Sequence, residues 1–158
     1  MILALTWYQW LKAGHVLASV LWVGGGATLT IYAILTLRQN TPAEMASFAR
    51  KVGLIGERIF TPLSFAALGL GFGLVENGHL GYNHFFVVYS LAAWGASTLL
   101  GITFLGPESA RLGKLISTRP PEDPEVQDRI RRILAVARVD VLLLLSVVFV
   151  MTAKPFYP

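Results

Sequence analysis

The sequence contains no cysteine. This absence excludes disulfide bonds, thiolate metal sites and cysteine nucleophiles from any account of the chain's function. Charged residues are also scarce, at 14% of the 158 positions, whereas soluble domains average about 25%. A soluble fold of this length could not cover so much apolar surface, so the composition predicts a membrane protein.

The motifs of nucleotide-binding enzymes are missing as well. Gly24, Gly25 and Gly26 stand inside a long apolar run, whereas a dinucleotide-binding fingerprint needs a strand, a turn and a helix start in water. The sequence has no P-loop, and no grouping of nucleophile, base and orienting residue can be recognised. An enzymatic function is therefore unsupported, without being excluded.

Four long apolar stretches are present instead. A helix needs roughly 20 apolar residues to cross the hydrocarbon core of a bilayer, with about 17 as the lower limit. Residues 13–37 and 77–107 carry no formal charge and exceed this length, and residues 59–75 just reach it. The fourth stretch, 141–153, is long enough only if the charged residues that precede it lie near one membrane face.

These stretches predict an all-α fold, an integral membrane four-helix bundle that forms a single transmembrane domain over residues 1–158. The chain length is enough for one compact bundle and too short for two membrane domains plus a soluble domain. The predicted membrane spans are approximately 13–37, 59–75, 85–105 and 133–153.

The first loop is predicted to contain a short amphipathic helix at about 42–57, lying on the inner membrane surface. Thr41 can cap this helix, Pro42 suits its first position and Glu44 completes a capping box. Pro62 follows where the chain must bend or restart before the second span.

Basic residues fall on alternate loops, and lysine and arginine favour the cytoplasmic side of a membrane. The second loop, 76–84, has none, so it and both termini are predicted to be extracytoplasmic. The net charge of +4 then indicates contact with anionic headgroups rather than nucleic acid. The basic residues of the first and third loops are Arg38, Arg50, Lys51, Arg58, Arg111, Lys114, Arg119, Arg129, Arg131, Arg132 and Arg138.

Aromatic residues support the same orientation, because they concentrate at membrane–water interfaces. Three clusters fall on the predicted outer face, one at each end of the chain and one at the start of the third span. These clusters are Trp7, Tyr8 and Trp10; Tyr82, Phe85, Phe86 and Tyr89; and Phe156 and Tyr157.

Small residues mark the helix faces that pack together in lipid. In the first span, His15 shares a stripe with Trp22, Gly25 and Gly26, which predicts that the imidazole points into the bundle. In the second span, Gly69 and Gly73 form a small-xxx-small pair, for which close helix packing is the prediction.

Asp140 is anomalous, because no basic residue lies one helical turn before it. A carboxylate at membrane depth needs a partner from another helix or a proton. We expect a structural ion pair with Arg58 at the inner end of the second span. A proton-carrying role for Asp140 is the alternative.

The histidines suggest a cofactor site at the outer side. His15 and His84 could supply both axial ligands of a b-type haem, because neutral imidazole is a common iron donor. Alternatively, Glu76 and His79 could join these two histidines in a copper or zinc site. The simplest expectation is that His15 forms a hydrogen bond across the bundle while His79 and His84 lie in solvent.

Three short segments resemble known families. His15, Trp22, Gly24 and Gly25, in the spacing H-x6-W-x-GG, resemble the first helix of CopD-like copper-resistance proteins and, more loosely, of HemJ-type haem-associated proteins. Residues 104–108 (FLGPE) and 151–155 (MTAKP) are similar to a bacterial family of predicted integral membrane proteins of unknown function.

The resemblance covers nearly the whole chain and implies a four-span bundle in the bacterial inner membrane. The CopD likeness implies copper handling, and the HemJ likeness implies haem bound through His15, with Trp22 beside it. Only three methionines are present, which is few for a copper route.

Two functions remain open at this level. We expect a non-catalytic accessory subunit that packs against other transmembrane helices, in a respiratory or photosynthetic complex or by self-association. The alternative is a haem- or copper-binding redox or metal-handling protein that uses His15 and His84.

Overall fold

The computed structural model describes residues 6–39 and 41–156, and each regular element of this part of the chain is helical. Two π-helical segments, π1 and π2, interrupt the α-helices. The elements in chain order are α1 (Trp7–Gln39), α2 (Pro42–Ile55), π1 (Gly56–Phe60), α3 (Thr61–Asn77), α4 (Phe85–Leu100), π2 (Gly101–Leu105), α5 (Gly106–Ile116) and α6 (Pro124–Ala153).

Four of the resulting rods are long and apolar enough to cross a membrane. Helix α2 continues through π1 into α3, and α4 continues through π2 into α5, so each pair forms one rod. The prediction of an all-α protein with four membrane-crossing helices is confirmed. The four rods are Trp7–Thr36, Ala43–Asn77, Phe85–Ile116 and Pro124–Ala153.

The rods form a bundle with a defined order. Helix α1 packs against α3 and α6, and α4 packs against the same two helices, most extensively against α6. Helices α3 and α6 are therefore diagonal to each other, with α1 and α4 between them. This order decides which side chains can meet across the bundle.

At one end of the bundle, α2, α5 and the first half of α6 pack together, and we call this region the basic end. The guanidinium of Arg129 on α6 forms an ion pair with the Glu108 carboxylate of α5, with an N–O distance of 2.8 Å. It forms a second ion pair, at 3.2 Å, with Glu125 of α6. The apolar core of the basic end consists of Met45, Ala46, Leu112, Ile116, Val126 and Ile130.

The helix predicted for the first loop is present as α2, and its predicted capping box forms. The Glu44 carboxylate accepts hydrogen bonds from the backbone N–H and the hydroxyl of Thr41, each at 2.9 Å. However, Met45, Ala46 and Ala49 of α2 are buried against α5 and α6. This face of α2 thus contacts protein, whereas Phe48, Val52 and Ile55 are only partly buried. The location of α2 on the membrane surface stays a prediction.

Pro62 is the second residue of α3, which starts directly after π1 without a break in the helical backbone. Its ring would clash with the carbonyl of the residue four positions earlier in a regular α-helix. The wider turn of π1 precedes it, with the Thr61 N–H bonded to the Gly56 carbonyl, and this leaves room for the ring. Pro107 follows π2 in the same way, which extends the third rod beyond the predicted end at residue 105.

At the opposite end, the start of α1, the loop 78–84 and the end of α6 meet, and we call this region the aromatic end. The Phe85 ring contacts the rings of Tyr89 and Phe156, at centroid distances of 5.7 and 5.6 Å. Tyr157, which the sequence assigned to this belt, lies outside the described residues. A buried cluster of Val75, Phe86, Val87 and Val150 closes this end.

Glycines permit the close contact of α1 with α3, although only half of the predicted packing glycines take part. A Cβ on Gly25 would lie 2.8 Å from Phe60, and one on Gly73 would lie 3.3 Å from Leu11. By contrast, the corresponding positions on Gly26 and Gly69 have no heavy atom within 4 Å. These two glycines therefore do not pack inside the bundle, because they lie on faces that point away from the neighbouring helix.

Candidate functional site

His15 points into the bundle, as the sequence predicted. Its Nδ1 lies 2.8 Å from the carbonyl oxygen of Ala67 on α3. Gly71 provides space for the ring, since a Cβ there would lie 3.2 Å from the His15 Cε1. A carbonyl oxygen can only accept a hydrogen bond, so Nδ1 is the donor and carries a proton, and Nε2 is the ring nitrogen that takes no part in this bond.

A second hydrogen bond to the same helix comes from the other side of the bundle. Trp94 of α4 donates its indole N–H to the Ser64 carbonyl oxygen of α3, at 3.1 Å. Ser64 and Ala67 are one turn apart, so α3 accepts side-chain hydrogen bonds from both of its neighbours. The sequence signal for this contact is a tryptophan in mid-span, far from the interfaces where tryptophan is usual.

The other predicted cofactor residues occupy separate places. His84 precedes α4, and its ring stacks on Phe86 at a centroid distance of 5.7 Å. Trp22 is half-buried on α1, seven residues after His15. The structure therefore places His15 in the contact of α1 with α3 and places His84 at the start of α4.

The predicted copper or zinc set is not assembled. Within residues 6–39 and 41–156, no three histidine, aspartate or glutamate side chains are grouped as a metal site would require. Glu76 instead accepts a hydrogen bond from the Tyr82 hydroxyl at 2.6 Å, and this bond raises the pKa of Tyr82. His79 is exposed in the turn after α3 and has a positive φ of 52°.

The predicted ion pair of Asp140 with Arg58 does not form. Arg58 is exposed on π1, and neither residue takes part in any ion pair of the described chain. The bundle order gives the reason, because α3 and α6 are diagonal and their facing side chains do not meet. The sequence could not reveal this arrangement, because the length and composition of a span do not depend on which helices it packs against.

Asp140 lies instead in the contact between α4 and α6. Its polar neighbour is Ser97 of α4, which is buried, while its Oδ1 is buried without a hydrogen-bond partner. The hydroxyl of Thr98, the next residue of α4, is also buried without a partner. About two turns closer to the aromatic end, the Tyr89 and Ser146 hydroxyls are 2.6 Å apart.

The α4–α6 contact is thus a seam of hydroxyl groups with one carboxyl group, whereas the α1–α3 contact holds one imidazole. Polar side chains in membrane helices usually face one another or a functional group. Asp140 is the acidic residue of this seam, and helix packing alone does not explain why a carboxyl group is buried there without a partner for its Oδ1.

Comparison with known proteins gives one family. The family model described as a predicted integral membrane protein (DUF2269) matches residues 9–155, nearly the whole chain. No curated protein and no solved structure matches the chain. The similarity of the first span to CopD-like proteins therefore remains a resemblance.

Proposed function

Because this chain belongs to the DUF2269 family of predicted integral membrane proteins, we propose that it is a non-catalytic accessory subunit of a larger membrane assembly. It crosses the membrane with four helices, and its outer faces contact lipid or the transmembrane helices of other proteins. Respiratory and photosynthetic complexes are the assemblies that we propose, in the inner membrane of a bacterium.

The observation that supports this role is a small-residue face on the outside of the bundle. Gly24 of α1 is exposed, and a Cβ on it would meet no heavy atom within 4 Å. Thr28, one turn later, is also exposed, and its hydroxyl bonds back to the Gly24 carbonyl at 2.8 Å. Two small residues four positions apart allow another helix to approach the backbone closely. Ala66 and Gly69, which are three positions apart, are also exposed on α3.

We expect the tagged protein to co-purify with other membrane proteins when the membrane is dissolved in mild detergent. Gly24→Leu and Gly69→Leu should each reduce the bound partners about tenfold, equivalent to 1.4 kcal/mol, because the new side chain separates the two helix backbones. Native gel electrophoresis followed by mass spectrometry of each band measures the loss. Val20→Leu is the matched control, since it enlarges an exposed residue of α1 that already has a branched side chain.

A band that contains this chain alone, as a monomer or as a homo-oligomer, would contradict the accessory role. A homo-oligomer that Gly24→Leu dissociates would assign the small-residue face to self-association.

We also propose that the basic end is cytoplasmic and the aromatic end extracytoplasmic, which leaves both termini outside. The chain has no cysteine, so single cysteines can be introduced at exposed loop positions. We expect Asn83→Cys to react with a membrane-impermeant maleimide in spheroplasts, and Glu122→Cys to react only after lysis. The reverse pattern would contradict this orientation.

The alternative function, haem or copper binding through His15 and His84, rests on one specific observation. The bond to Ala67 holds the His15 Nδ1 and leaves Nε2 out of this contact, and histidine ligands of metals usually have their second nitrogen held in this way. An absorption spectrum and a copper analysis of the same purified protein distinguish the two functions. A Soret band or bound copper that His15→Ala removes would favour the alternative.

A further inference from the structure

Asp140 is an acidic side chain inside the membrane whose charge nothing in the described chain compensates. From this we infer that Asp140 is a proton-binding site of the bundle, formed with Ser97 at the contact of α4 with α6. The inference goes beyond the accessory role and does not depend on it.

The helix geometry fixes the depth of the site. Asp140 precedes the end of α6 at Ala153 by 13 residues, which corresponds to about 20 Å along the helix. Ser97 follows the start of α4 at Phe85 by about 18 Å on the same scale. Both estimates place the site at one level of the bundle, about 20 Å from the aromatic end. With that end at the membrane interface, as proposed above, this level is well inside a hydrocarbon core of roughly 30 Å.

Among the side chains that the structure describes, which do not include Arg38 at the end of α1, no cation of the neighbouring elements lies at this level. Helix α4 carries no lysine, arginine or histidine, and its Tyr89 is bonded to Ser146. Segment π2 has no titratable residue. On α1, Lys12 and His15 lie in the half nearer the aromatic end, and the Tyr32 ring contacts Phe48. On α5, Glu108 is bound by Arg111 and Arg129, and Lys114 lies farther along the basic end.

Helix α6 itself provides no partner either. Arg138 is two residues from Asp140, points to a different side of the helix and is exposed. The residues that flank Asp140 by one turn are Val136, Ala137, Leu143 and Leu144. An ionised carboxylate enclosed by apolar side chains without a cation is costly. The neutral acid avoids this cost, and its O–H can donate a hydrogen bond.

Ser97 completes the site by offering an oxygen atom. The Ser97 hydroxyl is next to the carboxyl group and can accept from the protonated form or donate to the ionised form. A site that can satisfy both forms of the acid is suited to taking up and releasing a proton.

A hydrophobic carbodiimide tests this inference on the full-length protein in detergent or lipid vesicles. The acid O–H adds across a C=N bond of the reagent, so that the proton moves to nitrogen and the carboxylate oxygen bonds the central carbon. Rearrangement to an N-acylurea follows, and no group is lost. Because the first step consumes the protonated acid, labelling reports where a proton is held.

We expect N,N′-dicyclohexylcarbodiimide at neutral pH to modify Asp140 at least ten times more than Glu108, which is ion-paired. Labelling should decrease as the pH is raised. Peptide mass spectrometry of the unmutated protein locates the adduct, so the result does not depend on how a variant folds. Asp140→Asn should abolish the adduct and Asp140→Glu should retain it.

Absence of an adduct on Asp140 in the folded protein would overturn the inference. A labelling yield that stays constant as the pH is raised would also overturn it, because the reaction would then not depend on a proton that the site exchanges with the solvent.

Discussion

Val126→Asp is expected to disrupt the basic end and to leave the membrane part of the bundle folded. Val126 is completely buried in the cluster of α2, α5 and α6. An aspartate there would be a buried charge without a partner, which costs about 3–5 kcal/mol. The cluster lies at one end of the rods, apart from the contacts of α1 with α3 and of α4 with α6, so the packing of those contacts should be retained.

Two probes separate the two parts of the molecule. Met45 lies in the same cluster and is 4% exposed. Met45→Cys introduces a single cysteine into a chain that otherwise has none. We expect its reaction with a maleimide to accelerate at least tenfold in Val126→Asp. The four tryptophans, Trp7, Trp10, Trp22 and Trp94, belong to α1 and α4, so their fluorescence reports the membrane part and should not change.

The control is Gln127→Asp, which places the same charge on the adjacent, exposed position of α6. It should leave the Met45→Cys reporter protected. If Val126→Asp also leaves this cysteine unreactive, or if both variants expose it equally, then the basic end is not held together by its apolar cluster.

The sequence predicted the elements whose signals are local. The capping box of Thr41 and Glu44 formed because both partners lie within four residues. The start of α6 at Pro124 has a similar local cap, since the Asp123 side chain accepts a hydrogen bond from the Glu125 N–H at 2.8 Å. The inward direction of His15 also followed from the local spacing of small residues on α1.

The features that the sequence did not reveal depend on which helices are neighbours. Arg58 was a reasonable partner for Asp140 by depth, yet the diagonal arrangement of α3 and α6 keeps them apart. Gly69 and Gly73 lie on one predicted seam, but only Gly73 contacts another helix of the chain. Composition shows that a face is small or polar, and it does not show what that face meets.

Pro62 illustrates a different limit. A proline in a helical pattern ordinarily indicates a break in the helix. A π-helical turn before the proline is the alternative, and the sequence of one segment does not reveal it. The structure shows the same solution twice, since Gly56 begins π1 six residues before Pro62 and Gly101 begins π2 six residues before Pro107. The paired glycine and proline keep both rods continuous, and this continuity creates the basic end.

Adjacent glycines of α1 allow the fold and the proposed association to be tested separately. Gly25→Leu is expected to destabilise the isolated protein by about 1–3 kcal/mol, the usual cost of overpacking, because even a Cβ there would lie 2.8 Å from the Phe60 ring. Gly24→Leu should leave the isolated protein as stable as the unmodified chain or slightly more stable, since its Cβ position is open.

Both substitutions remove a glycine from the same helix and thereby gain the same helix propensity, about 1 kcal/mol at most. The difference between them therefore measures the contact of residue 25 with Phe60. Thermal unfolding of the two variants in one detergent gives this difference, and native gels of the same membranes give the bound partners. We expect Gly25→Leu to lower the melting temperature and Gly24→Leu to lose partners at an unchanged melting temperature. Equal melting temperatures of the two variants would show that π1 shifts to accommodate a leucine at position 25. A lower melting temperature of Gly24→Leu would show that the outer face of α1 stabilises the isolated protein and is not a surface for a partner.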